Sequence, residues 1–168
     1  MGERKAAITL DTAVEAWRGG SAKVSTLLSR EGVVAEKRRA RCHCGEVAFS
    51  VELVDGFNTI RRCNCSFCRM RGAVAVSAPL SGINVFKGKE KLTAYRFNTR
   101  DAVHYFCAVC GIYTFHQRRS NPEEYGVNVA CIEGVSPFDF PEVKVMDGVN
   151  HPADGGGGVA GYVLYEKA

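Results

Sequence analysis

The sequence predicts a mainly β domain preceded by a short helical extension. Three observations lead there. From Cys42 onward apolar and polar residues alternate at the period of a strand, cysteines recur in close pairs followed by glycine, and turn residues punctuate the apolar runs. The clearest alternation is at residues 46–53, where Val47, Phe49, Val51 and Leu53 take one face and Glu46, Ala48, Ser50 and Glu52 the other.

Taken in order, residues 1–40 form the extension and residues 41–168 the domain proper. Leu10, Val14 and Trp17 fall at i, i+4 and i+7, with Asp11 or Thr12 available as an N-cap and Gly19-Gly20 as a stop, so a short amphipathic helix is expected there. Val24, Leu27 and Leu28 extend the helical pattern over 21–30 by a turn or two. The basic run Lys37-Arg38-Arg39 with Arg41 reads as a solvated linker. After the strand at 46–53, Asp55-Gly56 marks a turn and 59–62 lead into Cys63. Residues 73–78 are a short apolar run ending at Pro79, and 92–97 alternate again after a turn at Gly88. Residues 103–106 and 112–116 flank Cys107-Ala108-Val109-Cys110-Gly111, a hairpin whose tip a metal would hold. Residues 125–132 make a further strand, 159–165 close the sheet, and the glycine run within 154–158 reads as a mobile loop.

Composition narrows the function classes. A chain of 168 residues suits one ordinary domain with room for a core, and 46% apolar with 24% charged residues is globular rather than disordered. A net charge of +4 admits an anionic ligand but falls short of the basic surface of a nucleic-acid binder. No N-terminal apolar run has the flanks of a secretory leader, and no segment is long and apolar enough to span a bilayer. The expected location is therefore the reducing cytoplasm, where close cysteine spacing favours metal over disulfide.

The cysteines divide by spacing. Cys42 and Cys44 form one pair and Cys107 and Cys110 another, trailed by Gly45 and Gly111, where a missing Cβ lets the backbone turn around a bound sulfur. Together they supply four thiolates, the complement of a closed structural zinc site. Cys63, Cys65 and Cys68 then remain as a triad of three, the ligand number of a catalytic zinc with one position open. Cys131, on the face of Tyr125, Val127 and Val129, reads as a buried packing residue; His43, His104, His116 and His151 lack helpful local spacing as a fourth ligand. Two zinc ions are expected, one structural and one catalytic, although thiolate sites also accept iron.

Three thiolates around a divalent ion leave a centre of charge about minus one, a weak electrophile suited to holding a fourth thiol as thiolate. Such a thiolate attacks small electrophiles such as aldehydes. Arg61, Arg62, Arg69 and Arg71 flank the triad and could receive the carboxylates of a small thiol peptide. Arg69 directly follows Cys68 and is the substrate-binding candidate among them; Asn128, a polar residue in an apolar strand, is a second, its amide facing the site or pairing with backbone.

The ordered segments C-H-C-G, C-N-C-S-F-C-R, F-C-A-V-C-G-I and Y-G-V-N-V-A-C resemble the glutathione-dependent formaldehyde-activating enzymes, or S-(hydroxymethyl)glutathione synthases, whose domain family includes centromere protein V. The resemblance covers residues 41–148 and implies a β-tent fold of antiparallel sheets. It implies structural zinc on Cys42, Cys44, Cys107 and Cys110 and catalytic zinc on Cys63, Cys65 and Cys68. It also implies a carbon–sulfur lyase reaction, addition of the glutathione thiol to formaldehyde. The extension and the glycine-rich tail lie outside it, and no stretch of sequence specifies an oligomeric state. The alternative is a non-catalytic zinc module binding glutathione, a protein partner or nucleic acid. A sulfoxide reductase ranks third, because no cysteine outside the ligand set reads as exposed.

Overall fold

In the computed structural model residues 36–168 are described, so the helical expectations at 10–17 and 21–30 lie outside the described residues. The alternation at 46–53 becomes strand β2 (Ala48–Glu52), with Phe49 and Val51 fully buried. It is the middle strand of a three-stranded antiparallel sheet, between β1 (Lys37–Arg41) and β5 (Ile83–Lys87). The basic run expected as a linker is thus a strand. Its backbone pairs with β2 and Ala40 enters the core, while Lys37, Arg39 and Arg41 point to solvent.

The second sheet has eight strands: β3 (Arg61–Cys63), β4 (Ala75–Pro79), β6 (Leu92–Tyr95), β7 (Val103–Cys107), β8 (Tyr113–Gln117), β9 (Glu124–Asn128), β10 (Glu142–Met146) and β11 (Val159–Leu164). Their order is β11-β10-β3-β4-β9-β8-β7-β6, and every neighbouring pair is antiparallel except β3 with β10. The expected strand over 125–132 stops at Asn128, after which Val129–Cys131 form a 3-10 turn capped by the Asn128 side chain. The strand expected to close the sheet is instead its outer edge, β11. Helix α1 (Ser66–Arg71) follows β3 and stops at Gly72, whose φ of 70° is the left-handed conformation of a helix terminator.

The sheets share one core. Phe49 of β2 meets Phe115 of β8 edge-on at 5.2 Å, and Val76, Val127 and Val129 are fully buried around them. Each such side chain contributes roughly 1.5–3 kcal/mol on leaving water. Because side chains alternate across a strand, the residues next to this core set face the other way. Ser77, Gly126, His116 and His104 are successive register partners across β4, β9, β8 and β7. Gly126 is required in that row, since a Cβ there would overlap the His116 ring. Among the described residues, no helix is long and apolar enough to cross a membrane.

Candidate metal centres and active-site cleft

The first cysteine cluster joins the two sheets. Cys42 follows β1, Cys107 ends β7, and Cys44 and Cys110 lie in the turns beyond them. The turns are alike: Gly45 N–H donates to Cys42 O at 3.1 Å and Gly111 N–H to Cys107 O at 2.8 Å, with φ of 74° and 73° at the two glycines. The four sulfurs lie within 4.8 Å of one another, with Cys42–Cys44 at 3.5 Å and Cys44–Cys107 at 3.7 Å. Thiolates about 2.3 Å from a tetrahedral zinc are separated by roughly 3.8 Å, so this set fits such an ion closely. Val47 N–H donates to Cys42 Sγ at 3.3 Å.

The second cluster is built where β3 runs into α1. Cys63 ends the strand, Cys65 is the N-cap of the helix, and Cys68 lies one turn in. Their sulfurs also lie within 4.8 Å of one another. The neighbouring Cys63 and Cys68 thiols, with the backbone N–H groups of Cys68 and Phe67, pull the Cys65 thiol down to about 2. Cys63 and Cys68 are pushed up by the same contacts. Three sulfurs packed this closely suit one divalent cation, whose charge offsets the loss of their protons. Both clusters could therefore each hold a metal ion. None of the eight cysteines is in a disulfide.

Cys131 lies outside both groups, 4% exposed, with its thiol 3.5 Å from Tyr113 O; burial pushes it up to about 12. His104 and His116 stack at 4.8 Å on the cleft wall, and His151 lines the rim. Burial lowers His104 to about 4 and His116 well below the usual histidine value, so both are neutral at pH 7.

The triad opens into a cleft of about 270 Å³. Arg61, Arg71, His104, Arg118 and Gly148 are among its lining residues, and Asp147 and Asp154 stand at its acidic side. Arg118 is paired with Glu124 and Arg119 with Asp154 and Asp101. Among the described residues no carboxylate lies within salt-bridge distance of Arg61, Arg62 or Arg71. Burial lowers Arg61 to about 10, helped by Arg118 nearby, yet it stays charged at neutral pH. An anionic substrate group entering the cleft would meet this unpaired charge.

Of the residues expected from sequence, the seven cysteine ligands fall into their two groups, but Arg69 and Asn128 lie outside the cleft lining. Arg69 is exposed on the helix, since one step past Cys68 rotates a side chain by about 100°. Asn128 has its Nδ2 on Tyr113 O at 2.8 Å and its Oδ1 on Ala130 N at 3.2 Å, so its amide serves the backbone. Arg71, three past Cys68, returns to the face of the sulfurs and donates from Nη2 to Cys68 Sγ at 3.5 Å. Asn64, which the sequence presents only as a spacer, binds the 146–149 segment to the triad.

Residues 37–144 match the protein family described as glutathione-dependent formaldehyde-activating enzyme. A solved crystal structure of a Rhodobacter sphaeroides protein is similar at 61% sequence identity and a TM-score of 0.63, over 64% of this chain and 98% of that one.

Proposed function

The chain belongs to the glutathione-dependent formaldehyde-activating enzyme family, and from that premise we propose that it joins the thiol of glutathione, or of a similar small thiol, to formaldehyde or another small carbonyl compound. The observation that supports this reading is the three-cysteine cluster opening into a cleft with an unpaired arginine. In this reading Cys42, Cys44, Cys107 and Cys110 hold a structural zinc, and Cys63, Cys65 and Cys68 hold a catalytic one. Zinc at the triad, when bound, supplies a Lewis acid that keeps a coordinated thiol deprotonated near neutral pH.

The chain's own residues do the rest. Arg61 receives a substrate carboxylate, in place of the expected Arg69 and Asn128. Neutral His104 and His116 form an uncharged wall that does not compete for that carboxylate. The S–H proton leaves to solvent and the C–S bond forms as the carbonyl π pair moves to oxygen. That oxygen takes up one proton. Atoms and charge balance without a redox partner, and the reverse reaction is that of a carbon–sulfur lyase. Cysteines kept out of disulfides and committed to metal suit a reducing, cytoplasmic setting.

The test is the rate of exchange between formaldehyde, glutathione and their adduct, followed by NMR with two-zinc protein. The wild type is expected to exceed the spontaneous rate, and folded Cys65→Ser to fall back to it. A two-zinc wild type with no acceleration would leave a non-catalytic zinc module.

A further inference from the structure

Arg71 closes helix α1 with its guanidinium turned back over the triad. Nη2 donates to Cys68 Sγ at 3.5 Å, and Nη1 lies 3.1 Å from His104 Nδ1. An arginine can only donate, so His104 Nδ1 accepts and the ring carries its proton on Nε2. The guanidinium carbon stands 3.6 Å from the Tyr113 ring centroid and 5.4 Å from that of Phe67, in cation–π geometry. Tyr113 is itself fixed, its hydroxyl donating to Gly126 O at 2.9 Å. Arg71 Nε is buried without a hydrogen-bond partner, and among the described residues no carboxylate reaches the side chain.

A cation held among rings, away from any carboxylate, needs an anion from somewhere. The one in contact is the sulfur cluster. With a divalent ion the three thiolates carry about minus one, which the guanidinium balances, and an incoming fourth thiolate would add a further negative charge. The N–H···S bond to Cys68 is charge-assisted on both sides only when Cys68 is a thiolate, which is its metal-bound form.

We infer that Arg71 is a positioning residue for the proposed catalytic centre, orienting Cys68 against His104 and Tyr113 and supplying the counter-charge that lets a three-thiolate metal accept an anionic thiol. This rests on the triad being a metal site, and orienting contacts of this kind are commonly worth ten- to a hundredfold in metal affinity.

The test uses the full-length chain loaded with cobalt(II), whose thiolate charge-transfer absorption reports the ligand sulfurs. Chelator competition gives the affinity of each site, with Cys65→Ser identifying the four-cysteine signal. Arg71→Met is expected to weaken the triad by about tenfold or more, shift its charge-transfer band and leave the four-cysteine site unchanged. Arg71→Lys keeps the charge but cannot span Cys68 and His104 together, so a smaller, several-fold loss is expected. Wild-type affinity and spectrum in folded Arg71→Met would overturn the inference. Should Arg71→Met not fold, Arg71→Lys decides, and wild-type behaviour in it likewise overturns the role. A wild-type chain that takes cobalt only at the four-cysteine site defeats instead the two-metal reading beneath it.

Discussion

Gly148 donates its backbone N–H to the side-chain oxygen of Asn64 at 2.7 Å, although the two stand 84 positions apart. Asn64 lies between two triad cysteines, and a Cβ on residue 148 would overlap Cys63 Sγ. The segment after β10 is therefore packed directly against the candidate metal centre.

Gly148→Ala should consequently displace Cys63 and weaken metal at the triad by about tenfold or more, the scale of lost orienting contacts. The four-cysteine site should stay filled. Metal content after dialysis against a weak chelator checks this, and Asn64→Ala should give a milder loss in the same direction.

Cys107→Ser should behave differently. Cys107 ends a strand of the larger sheet while Cys42 follows β1 of the smaller, so this cluster joins the sheets. Structural zinc in small domains contributes on the order of 10 kcal/mol of apparent binding free energy. Losing one ligand should lower the thermal midpoint steeply and abolish activity together with the fold, whereas Cys65→Ser should abolish activity with the fold kept.

Arg61 and Arg69 offer a direct contrast. Arg61 lines the cleft without a carboxylate partner, and Arg69 is exposed outside its lining. A lost charge-assisted hydrogen bond costs about 1.5–3 kcal/mol, so Arg61→Ala should raise the KM for glutathione by roughly ten- to a hundredfold. Arg69→Ala should change it by less than about twofold. Steady-state kinetics of both variants decide the assignment.

Stability should fall as pH drops from about 6.5 toward 4. Burial holds folded His104 down to about 4, with Arg71 on one side adding to the effect and Cys65 opposing it, while stacked His116 is neutral as well. Unfolded histidine takes up a proton near 6.5. In that window the unfolded state binds more protons, so stability rises with pH. Denaturant midpoints across this range should give a slope smaller in His104→Gln than in the wild type by up to about one proton.

Much of this site was legible before the structure, and the reason is local. Sulfurs that could share one ion must converge within a few ångströms, so the grouping of Cys42 with Cys44, Cys107 with Cys110, and Cys63 with Cys65 and Cys68 announces itself by spacing. The choice among the flanking arginines was not legible, because it depends on helical phase. Once Ser66–Arg71 is a helix, Arg71 shares the face of Cys68 and Arg69 does not. Asn128 stayed open between two readings because a polar residue in an apolar run can serve a ligand or a backbone cap, and here the strand ends at it with its amide on backbone. Asn64 and Gly148 were hidden because their pairing requires β10 beside β3. The alternation of Val143 and Val145 with charged neighbours was the available signal for that strand.

The proposed second metal centre at the triad has a ligand position that a thiol can fill. X-ray absorption at the zinc edge, with metal counting, on wild type and Cys65→Ser with and without glutathione tests it directly. Two zinc ions are expected in the wild type and one in the folded variant, with sulfur coordination that rises on adding glutathione in the wild type alone. A single zinc in the wild type, or a sulfur count that glutathione does not change, would contradict it.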